Sequence, residues 1–390
     1  MAIAASTSDP AHMARARRNT ICLCMIVKNE ARVIERCLAS VRDLIDHWVI
    51  TDTGSDDGTQ DLIRAALAGI PGELHEEPFI DFGQSRTRNI RLAHGAADYL
   101  LLVDADMVVR RDAPLEALGA DAYLLRHSGP CEYRINRLVR GDIAWRYEGA
   151  THEYLVCDQP HRVENLDALV IDHFADGGSR SDKFERDERL LRAAVRADPG
   201  DSRSVFYLAQ TLRDLRKSEE SITWYRRRAE MGGWEEEIYY SLLQAGIQRA
   251  DDGDWPRAMD CLLRAWEARP TRLEACYQLV SRLRAAGRHM VAHQFVRDVF
   301  DQPQPADVLF VEPWVYHWGL LFEYSITSYY AGDPANSVEA CDRLLAMPDL
   351  PEAVRRQTET NRRFGAQLLP DARPPHARSP RISAADAAVG

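Results

Sequence analysis

The pattern of apolar and polar residues predicts alternating strands and helices in the N-terminal half of the chain. Continuous apolar runs of strand length alternate there with stretches in which apolar residues recur every three or four positions. A continuous run is typical of a strand buried on both faces of a parallel sheet, and the wider spacing is typical of an amphipathic helix. The order therefore predicts an α/β fold with a mainly parallel sheet. The predicted strands are Ile21–Val27, His47–Thr51, Leu74–Phe79 and Tyr99–Asp104, and the predicted helices are Glu30–Val41, Thr59–Leu67 and Gln84–His94.

The pattern changes twice more toward the C-terminus. Between Ala122 and Asp172 the chain contains short β-like pieces, which predict a small mixed or antiparallel addition to the sheet. After about Asp182 only helical spacing remains. We therefore expect an α/β domain at residues 20–180 and a helical domain at residues 181–365. The expected disordered segments are a leader at residues 1–19 and a Pro-, Ala- and Arg-rich tail at residues 366–390.

The helical region contains a loose internal repeat. Four segments share a turn residue that precedes a small residue by five positions, and the steps between the turn residues are 37, 34 and 45. Such steps lie near the 34-residue tetratricopeptide unit, with an insertion before the last segment. The repeat predicts an α-solenoid of paired helices, with an ordinary helical bundle as the alternative. The turn residues are Arg216, Gly253, Gly287 and Gly332, and the small residues are Ser221, Ala258, Ala292 and Ser337.

Composition narrows the classes of function. The 390 residues carry a formal net charge of −11, which argues against general nucleic-acid binding because that needs a basic face. The eight cysteines form no CxxC pair, so reduced thiols in a cytoplasmic protein are expected. No apolar run reaches the length of a membrane span, and the N-terminus lacks the apolar centre of a secretory signal. We expect no stable membrane insertion.

The candidate chemistry lies at the end of the predicted strand Tyr99–Asp104. Asp104 and Asp106 follow this apolar run one residue apart. Open α/β sheets bind ligands beyond the carboxyl ends of their strands, and carboxylates there are the hard oxygen ligands that Mg²⁺ or Mn²⁺ prefers. Such an ion can hold a diphosphate. The alternative is a loop with two solvated aspartates.

An ordered set of motifs resembles the family 2 glycosyltransferases, which have the GT-A fold. The motifs are MIVKNE at Met25–Glu30, TDTGSDDGT at Thr51–Thr59, TRN at Thr87–Asn89 before the Asp-x-Asp strand, and the weaker THEYL at Thr151–Leu155. Together they cover roughly residues 20 to 175, and their order is more specific than any one of them. A GT-A domain followed by tetratricopeptide-like helices is similar to one subgroup, the sublancin-type peptide S-glycosyltransferases.

The resemblance implies a nucleotide-sugar site and a metal site. Asp52 would contact the uracil or ribose, and Arg88 would neutralise the diphosphate unless it is an ordinary surface arginine. Asp106 would bind the cation, Asp104 would either share it or hold the ribose or sugar, and His173 would be a third ligand or else a core histidine. The full implied donor set is Val27, Asn29, Glu30, Asp52, Ser55, Arg88, Asp104 and Ala105, and the implied metal set is Asp106, Asp104 and His173.

The resemblance also implies a general base. Glu153 matches the carboxylate of the family's TED motif, and His152 beside it could support it or bind the acceptor. Asp142 and Glu148 are the alternatives, because this chain departs from the family's Glu-Asp pair. A base opposite the leaving group implies single displacement with inversion.

The expected activity is sugar transfer from a UDP-sugar, with Mg²⁺ or Mn²⁺, to a peptide or protein side chain (Cys or Ser/Thr). The first alternative keeps the donor chemistry with a cell-surface saccharide or lipid-linked acceptor. The second is a repeat scaffold that binds nucleotide-sugar without turnover. The helical repeats are expected to recognise a peptide acceptor or to join two subunits in a homodimer, unless they only support the α/β domain.

Overall fold

The computed structural model describes residues 18–128, 133–177 and 183–369 of the chain. The chain divides into two compact units, of which the first ends at Thr211 and the second begins at Leu212. The leader predicted at residues 1–19 lies outside the described residues up to residue 17, and the predicted tail lies outside them from residue 370 onward. The domain limit predicted at residue 180 stays a prediction.

The first unit consists of a large sheet, a two-stranded ribbon and the helices that follow the strands. Its eight-stranded sheet has the order β3-β2-β1-β4-β7-β6-β10-β5, and the ribbon pairs β8 with β9. The elements are β1 (Ile21–Val27), α1 (Ile34–Val41), β2 (His47–Asp52), α2 (Thr59–Ala66), β3 (Gly72–Glu76), α3 (Phe82–Ala93), β4 (Tyr99–Leu102), β5 (Met107–Arg111), β6 (Ala122–Ser128), β7 (Tyr133–Arg140), β8 (Arg146–Glu148), β9 (Tyr154–Val156), β10 (Val163–His173), α4 (Lys183–Ala197) and α5 (Ser202–Asp214).

Two apolar cores lie on opposite faces of the sheet. Alternate residues of β1 belong to different cores: Leu23 and Met25 pack with α1, whereas Cys22 and Cys24 pack with residues of α3 such as Ile90. A strand covered on both faces cannot place polar side chains on either, which explains the continuous apolar run in the sequence. The predicted α/β fold class is confirmed.

The strand directions gather several loops at one edge of the sheet. β1 is parallel to β2 and β4, so the carboxyl ends of all three strands lie at the same edge. The register pairs Val27 with Asp52 at the ends of β1 and β2. β10 runs antiparallel to β5 and pairs His173 with Met107, which brings the end of β10 to the segment between β4 and β5. The rest of the sheet is mixed, as predicted, because β7 is antiparallel to both β4 and β6.

Over residues 212–369, the regular structure of the second unit is helical. Each helix packs against its neighbours in sequence. The helices are α6 (Ser218–Glu230), α7 (Glu235–Asp251), α8 (Trp255–Ala268), α9 (Glu274–Ala285), α10 (His289–Val296), α11 (Leu320–Tyr330), α12 (Pro334–Leu345) and α13 (Glu352–Gln367), with a π-helical turn at Val315–Gly319 before α11.

The predicted repeat is confirmed in the geometry of the helix pairs. All four turn residues have a positive φ, between 58° at Arg216 and 83° at Gly253, and each lies just before the second helix of a pair. The four small residues, from Ser221 to Ser337, are fully buried. A left-handed residue ends one helix, and a small residue lets the next helix pack closely. The predicted insertion corresponds to residues 297–319, between α10 and α11.

The cysteines at positions 22, 24, 37, 157, 261, 276 and 341 are all free thiols, and Cys131 lies outside the described residues.

Within residues 18–128, 133–177 and 183–369, none of the helices combines the length and apolar character needed to cross a membrane.

Candidate active site

A cavity of about 520 Å³ lies at the edge where β1, β2 and β4 end. Its walls are the end of β1 and the loop after it, the start of α3, the segment between β4 and β5, the end of β10, and the first turns of α4. The cavity is therefore at the position where open α/β sheets bind their ligands.

The loops that follow β1 and β2 hold each other in place. The Asn29 backbone N–H donates to the Ser55 hydroxyl at 2.9 Å, and the Asp56 N–H donates to the Asn29 side-chain oxygen at 2.9 Å. The backbone N–H and the hydroxyl of Thr53 both donate to the Val27 carbonyl, at 2.8 and 3.0 Å. Asn29 adopts a positive φ of 55°, which these contacts stabilise. The loop after β1 thus has a fixed shape at the cavity wall.

Asp52 lies at the end of β2 and is only 1% exposed. Its Oδ1 accepts hydrogen bonds from the N–H groups of Gly54 and Ser55, at 2.8 and 2.7 Å. Its Oδ2 is buried and has no hydrogen-bond partner among the described residues. An unsatisfied buried carboxylate oxygen is costly. Asp52 does not itself line the large cavity, whereas the next residue, Thr53, does.

Arg86 connects two acidic side chains. Its Nη2 donates to Asp104 Oδ1 at 2.5 Å, and its Nε donates to Glu153 Oε1 at 2.7 Å. The Arg86 side chain is only 15% exposed, and that of Glu153 is exposed to the same extent. Charge-assisted hydrogen bonds in a place with little water are strong. Arg86 therefore fixes the positions of both carboxylates.

Asp104 is held ionised by two guanidinium groups. Burial opposes its ionisation, but the charges of Arg86 and Arg137 outweigh burial and lower the pKa of Asp104 to about 2. The Arg137 Nη1 lies 3.6 Å from Asp104 Oδ2. Arg137 also donates from Nε to Nε2 of the buried His127 at 3.3 Å. Burial, followed by the charge of Arg137, lowers the pKa of His127 to about 4, so this imidazole is neutral at pH 7.

Asp106 and His173 form the pair best suited to a divalent cation. Their Oδ2 and Nε2 atoms lie 3.2 Å apart, and the two side chains are 13% and 32% exposed. The described residues contain no group of three or more His, Cys, Asp or Glu side chains that could hold a metal ion. A carboxylate and an imidazole nevertheless fit an ion that takes its other ligands from water and from a bound diphosphate. Both oxygens of Asp104 face guanidinium groups instead.

A second cavity, of about 240 Å³, lies on the other side of Arg86. It shares Arg86 and Asp104 with the first cavity and is also lined by Glu153. Its remaining wall is a mixture of apolar, aromatic and polar side chains. These include Leu124, Ile135, Asn136, Arg137, Tyr147, Tyr154 and Leu155. The Arg86 bridge thus stands between two spaces of different size.

The loop that carries Glu153 is fixed by contacts with α5. His152 has a positive φ of 53°, and its ring stacks on that of Tyr207 with the centroids 4.1 Å apart. Arg203 donates to the His152 carbonyl at 2.8 Å, and its guanidinium lies over the Tyr154 ring at 4.6 Å. These contacts hold the residues on both sides of Glu153.

The structure brings together most of the residues predicted for the site. The large cavity is lined by Val27, Asn29, Glu30, Asp104, Ala105, Asp106 and His173. Asp52 and Ser55 lie in the loop that supports this wall, and Glu153 lines the second cavity. Arg88 does not line either cavity and donates to Glu77 at 2.7 Å.

The alternative bases have other partners. Asp142 pairs with Arg140, whose Nε lies 2.9 Å from its Oδ1. Glu148 accepts hydrogen bonds from Arg146 and from the Tyr154 hydroxyl, at 2.9 and 2.8 Å. Neither carboxylate lines either of the two cavities. Glu153 is thus the one of the three candidates that faces a cavity.

Sequence reasoning missed several basic residues of the site. Arg86 could have been chosen over Arg88 from the helical spacing, because Asn89 and Ala93, three and seven positions after Arg86, are buried on the inner face of α3, whereas Arg88 is exposed. No pattern marked Arg137, which lies on an interior strand whose pairing is long-range. The α4 residues were missed because the helix falls beyond residue 180, in the segment predicted to belong to the repeats.

One segment of the chain matches the sequence model of a known family. Residues 22–122 match the sequence model of the glycosyl transferase family 2. This segment contains β1 without its first residue, β2 to β5 and the first residue of β6, and with them Asp52, Arg86, Asp104 and Asp106. Glu153, His173 and α4 lie beyond the matched segment.

Three individual proteins are similar to longer parts of the chain. A TPR repeat-containing protein of Synechococcus elongatus is 30% identical over 265 residues, 62% of this chain and 64% of the relative. The SPbeta prophage-derived glycosyltransferase SunS of Bacillus subtilis is 24% identical over 226 residues, 53% of each chain. The solved structure of YrrB, a TPR protein with an unusual peptide-binding site, is 17% identical with a TM-score of 0.34, over 47% of this chain and 86% of its own. The chain spans less than two thirds of the length of the Synechococcus protein and of SunS.

Proposed function

We propose that this chain, which carries a family 2 glycosyl transferase domain at residues 22–122, is an inverting glycosyltransferase that moves a sugar from a UDP-sugar to a peptide or protein side chain. One observation carries the proposal: Arg86 joins Asp104 to Glu153 at the place where the large cavity and the second cavity meet. Such an arrangement suits a donor on one side and an acceptor on the other.

The donor would occupy the large cavity. Its volume of about 520 Å³ is in the usual range for small-molecule sites. Asp52 would support the nucleoside site by fixing the loop after β2, and the loop after β1 would line the nucleotide. Asp106 and His173 would hold Mg²⁺ or Mn²⁺, which as a Lewis acid would neutralise charge on the diphosphate. The pairing of Asp104 with Arg86 and Arg137 supports a positioning role for Asp104 rather than a metal-ligand role.

The acceptor would approach from the second cavity, where Glu153 would take its proton. The acceptor sulfur or oxygen forms a bond with the anomeric carbon as the bond from that carbon to the diphosphate oxygen breaks, and the electron pair leaves with the diphosphate. Attack opposite the leaving group inverts the configuration. Arg86 keeps Glu153 aligned by holding Oε1, and the other oxygen would receive the proton.

We propose a cysteine acceptor over serine or threonine. The Glu153 carboxylate is already bonded to Arg86 through Oε1, which leaves one oxygen for the acceptor proton. A thiol ionises near pH 8.5 and needs only weak assistance, whereas a hydroxyl needs much more. The apolar walls of Leu124, Ile135 and Leu155 suit the residues beside that cysteine. We propose that the helical repeats bind the rest of the acceptor or join two copies of the chain, and that the protein works in the cytoplasm.

A transfer assay tests this proposal. The full-length protein is incubated with Mn²⁺, a panel of UDP-sugars and a library of cysteine peptides, each matched by its serine version. We expect UDP release and a peptide that gains the mass of one sugar, with the cysteine version modified faster. If only saccharide or lipid-linked acceptors are modified, the peptide assignment is wrong. If no UDP-sugar is consumed with any acceptor, the enzyme assignment is wrong.

A further inference from the structure

The first turns of α4 place a row of basic side chains on the large cavity. Lys183, Arg186 and Arg189 follow each other at intervals of three along the helix, and all of them line the cavity. Residues three apart lie on neighbouring positions of one helix face. This row, called the α4 basic edge below, lies outside the segment 22–122 that matches the family.

The helix is held against the cavity by contacts of Arg186 and by contacts on its other faces. Asp187 is 1% exposed, and its carboxylate is bonded to the Thr151 side chain, in the loop that leads to Glu153. The guanidinium of Arg186 lies over the Phe82 ring at 5.0 Å, at the start of α3. Leu191 and Val195 bury the helix in the first unit. The basic edge therefore has a defined position relative to the cavity.

The charge of this cavity is opposite to that of the chain. Its lining contains the cationic residues Lys28, Arg86 and the three of the α4 basic edge, against Glu30, Asp104 and Asp106. The chain as a whole has a net charge of −11. Arg86 and Asp104 offset each other as an ion pair, and Arg186 Nε lies 3.6 Å from Oδ1 of the buried Asp187, so the excess positive charge comes mainly from the lysines and Arg189. A concave site with excess positive charge selects an anionic ligand and holds it more tightly as its charge increases.

We infer that the α4 basic edge binds the diphosphate of the nucleotide donor, opposite the Asp106–His173 pair. This inference rests on the proposed function and adds a second contact surface for the leaving group. Guanidinium groups bind phosphate oxygens through paired hydrogen bonds, and a lysine adds a point charge. As the bond to the sugar breaks, negative charge grows on the diphosphate, and this edge lies where it would stabilise that charge.

Calorimetry with inorganic pyrophosphate, UDP and uridine tests the inference on the full chain. The test variant is Lys183→Gln/Arg186→Gln/Arg189→Gln. The matched control is Arg196→Gln/Arg226→Gln/Arg264→Gln, which removes the same charge from exposed positions outside the cavity. We expect the test variant to bind UDP and pyrophosphate roughly 30-fold more weakly than wild type and to bind uridine with unchanged affinity. The control variant should bind all three molecules as wild type does. The difference should persist with EDTA, because it does not depend on a cation.

Several results would overturn the inference. Equal weakening of UDP and pyrophosphate binding in the test and control variants would show that only net charge matters. Equal weakening of uridine binding would show that the site is damaged. The double variant Lys183→Gln/Arg189→Gln, which keeps the largely buried Arg186, then decides: if it binds pyrophosphate as tightly as wild type, the inference is wrong. If wild type binds pyrophosphate through the basic edge but neither UDP nor uridine, the proposed function fails while the anion site remains.

Discussion

Arg86 reaches Glu153 with its Nε at 2.7 Å while its Nη2 reaches Asp104 at 2.5 Å, so one side chain holds the acidic groups of two neighbouring cavities. The three residues come from α3, from the segment after β4 and from the loop before β9. A single guanidinium therefore sets the distance between the donor side and the acceptor side of the proposed reaction.

Removing Arg86 should damage both stability and transfer. In Arg86→Gln, Asp104 and Glu153 remain largely buried without this partner, and we expect the free energy of unfolding to fall by about 3 kcal/mol. The rate of transfer should fall about 100-fold or more because both carboxylates lose their alignment. Urea unfolding and initial rates measure the two effects.

Arg88→Gln is the matched control for this variant. Arg88 lies two positions away on α3. Its side chain is 46% exposed, and that of its ion-pair partner Glu77 is 37% exposed. Exposed pairs contribute little, so its stability should stay within about 0.5 kcal/mol of wild type. If Arg88→Gln lost as much activity as Arg86→Gln, the geometric argument for Arg86 would fail.

The buried histidine beside Arg137 should make stability depend on pH. Burial and Arg137 lower the pKa of His127 to about 4 in the folded state, against about 6.5 when unfolded. Between these values the unfolded chain binds the proton that the folded chain refuses, so stability falls as pH falls from about 6.5 to 4. The loss from this group should be on the order of 3 kcal/mol.

Urea unfolding of wild type and His127→Gln between pH 4 and pH 7.5 measures the contribution of His127 to the free energy of unfolding. We expect the wild-type stability to decline more steeply toward low pH, while the two proteins run parallel above pH 7. Parallel curves over the whole range would mean that His127 is not held neutral.

Tyr207 should affect catalysis through the position of the Glu153 loop. Tyr207→Ala removes the ring that stacks on His152, and we expect the rate of transfer to fall about tenfold with little change in the KM for the donor. Tyr207→Phe keeps the stacked ring and should keep most of the rate. Steady-state kinetics of both variants tests this, and equal losses in the two would refute the stacking argument.

The helical unit should depend on a buried ion pair. Arg228 donates from Nε to Glu237 at 2.8 Å, and the two side chains are 1% and 5% exposed. Arg228→Ala leaves the Glu237 charge buried and unpaired, so we expect a loss of about 3 to 5 kcal/mol. Arg226→Ala on the exposed face of the same helix should change stability by less than about 0.5 kcal/mol. Thermal unfolding compares them, and similar melting points would contradict the expectation.

The fold was largely predictable because its signals are local. A run such as Ile21–Val27 must be buried on both faces, and a glycine five positions before a buried small residue marks each later helix pair. The position of Asp104 and Asp106 at the sheet edge also follows from one strand and the loop after it.

The partners of those carboxylates could not be predicted from local patterns. Arg137 reaches Asp104 from β7, whose place beside β4 depends on a long-range antiparallel pairing. The row at Lys183, Arg186 and Arg189 reaches the cavity through the packing of α4, where Asp187 contacts Thr151. Helical spacing gives the face on which a basic residue lies, but it does not give the surface that this face meets.

The most direct test of the central claim is a crystal structure of the full chain with UDP and Mn²⁺. The account predicts the ion between Asp106 and His173, and the diphosphate in the large cavity between that ion and the α4 basic edge. The second cavity beside Glu153 should stay open for an acceptor. An ion bound away from Asp106, or a diphosphate on the Glu153 side of Arg86, would contradict it.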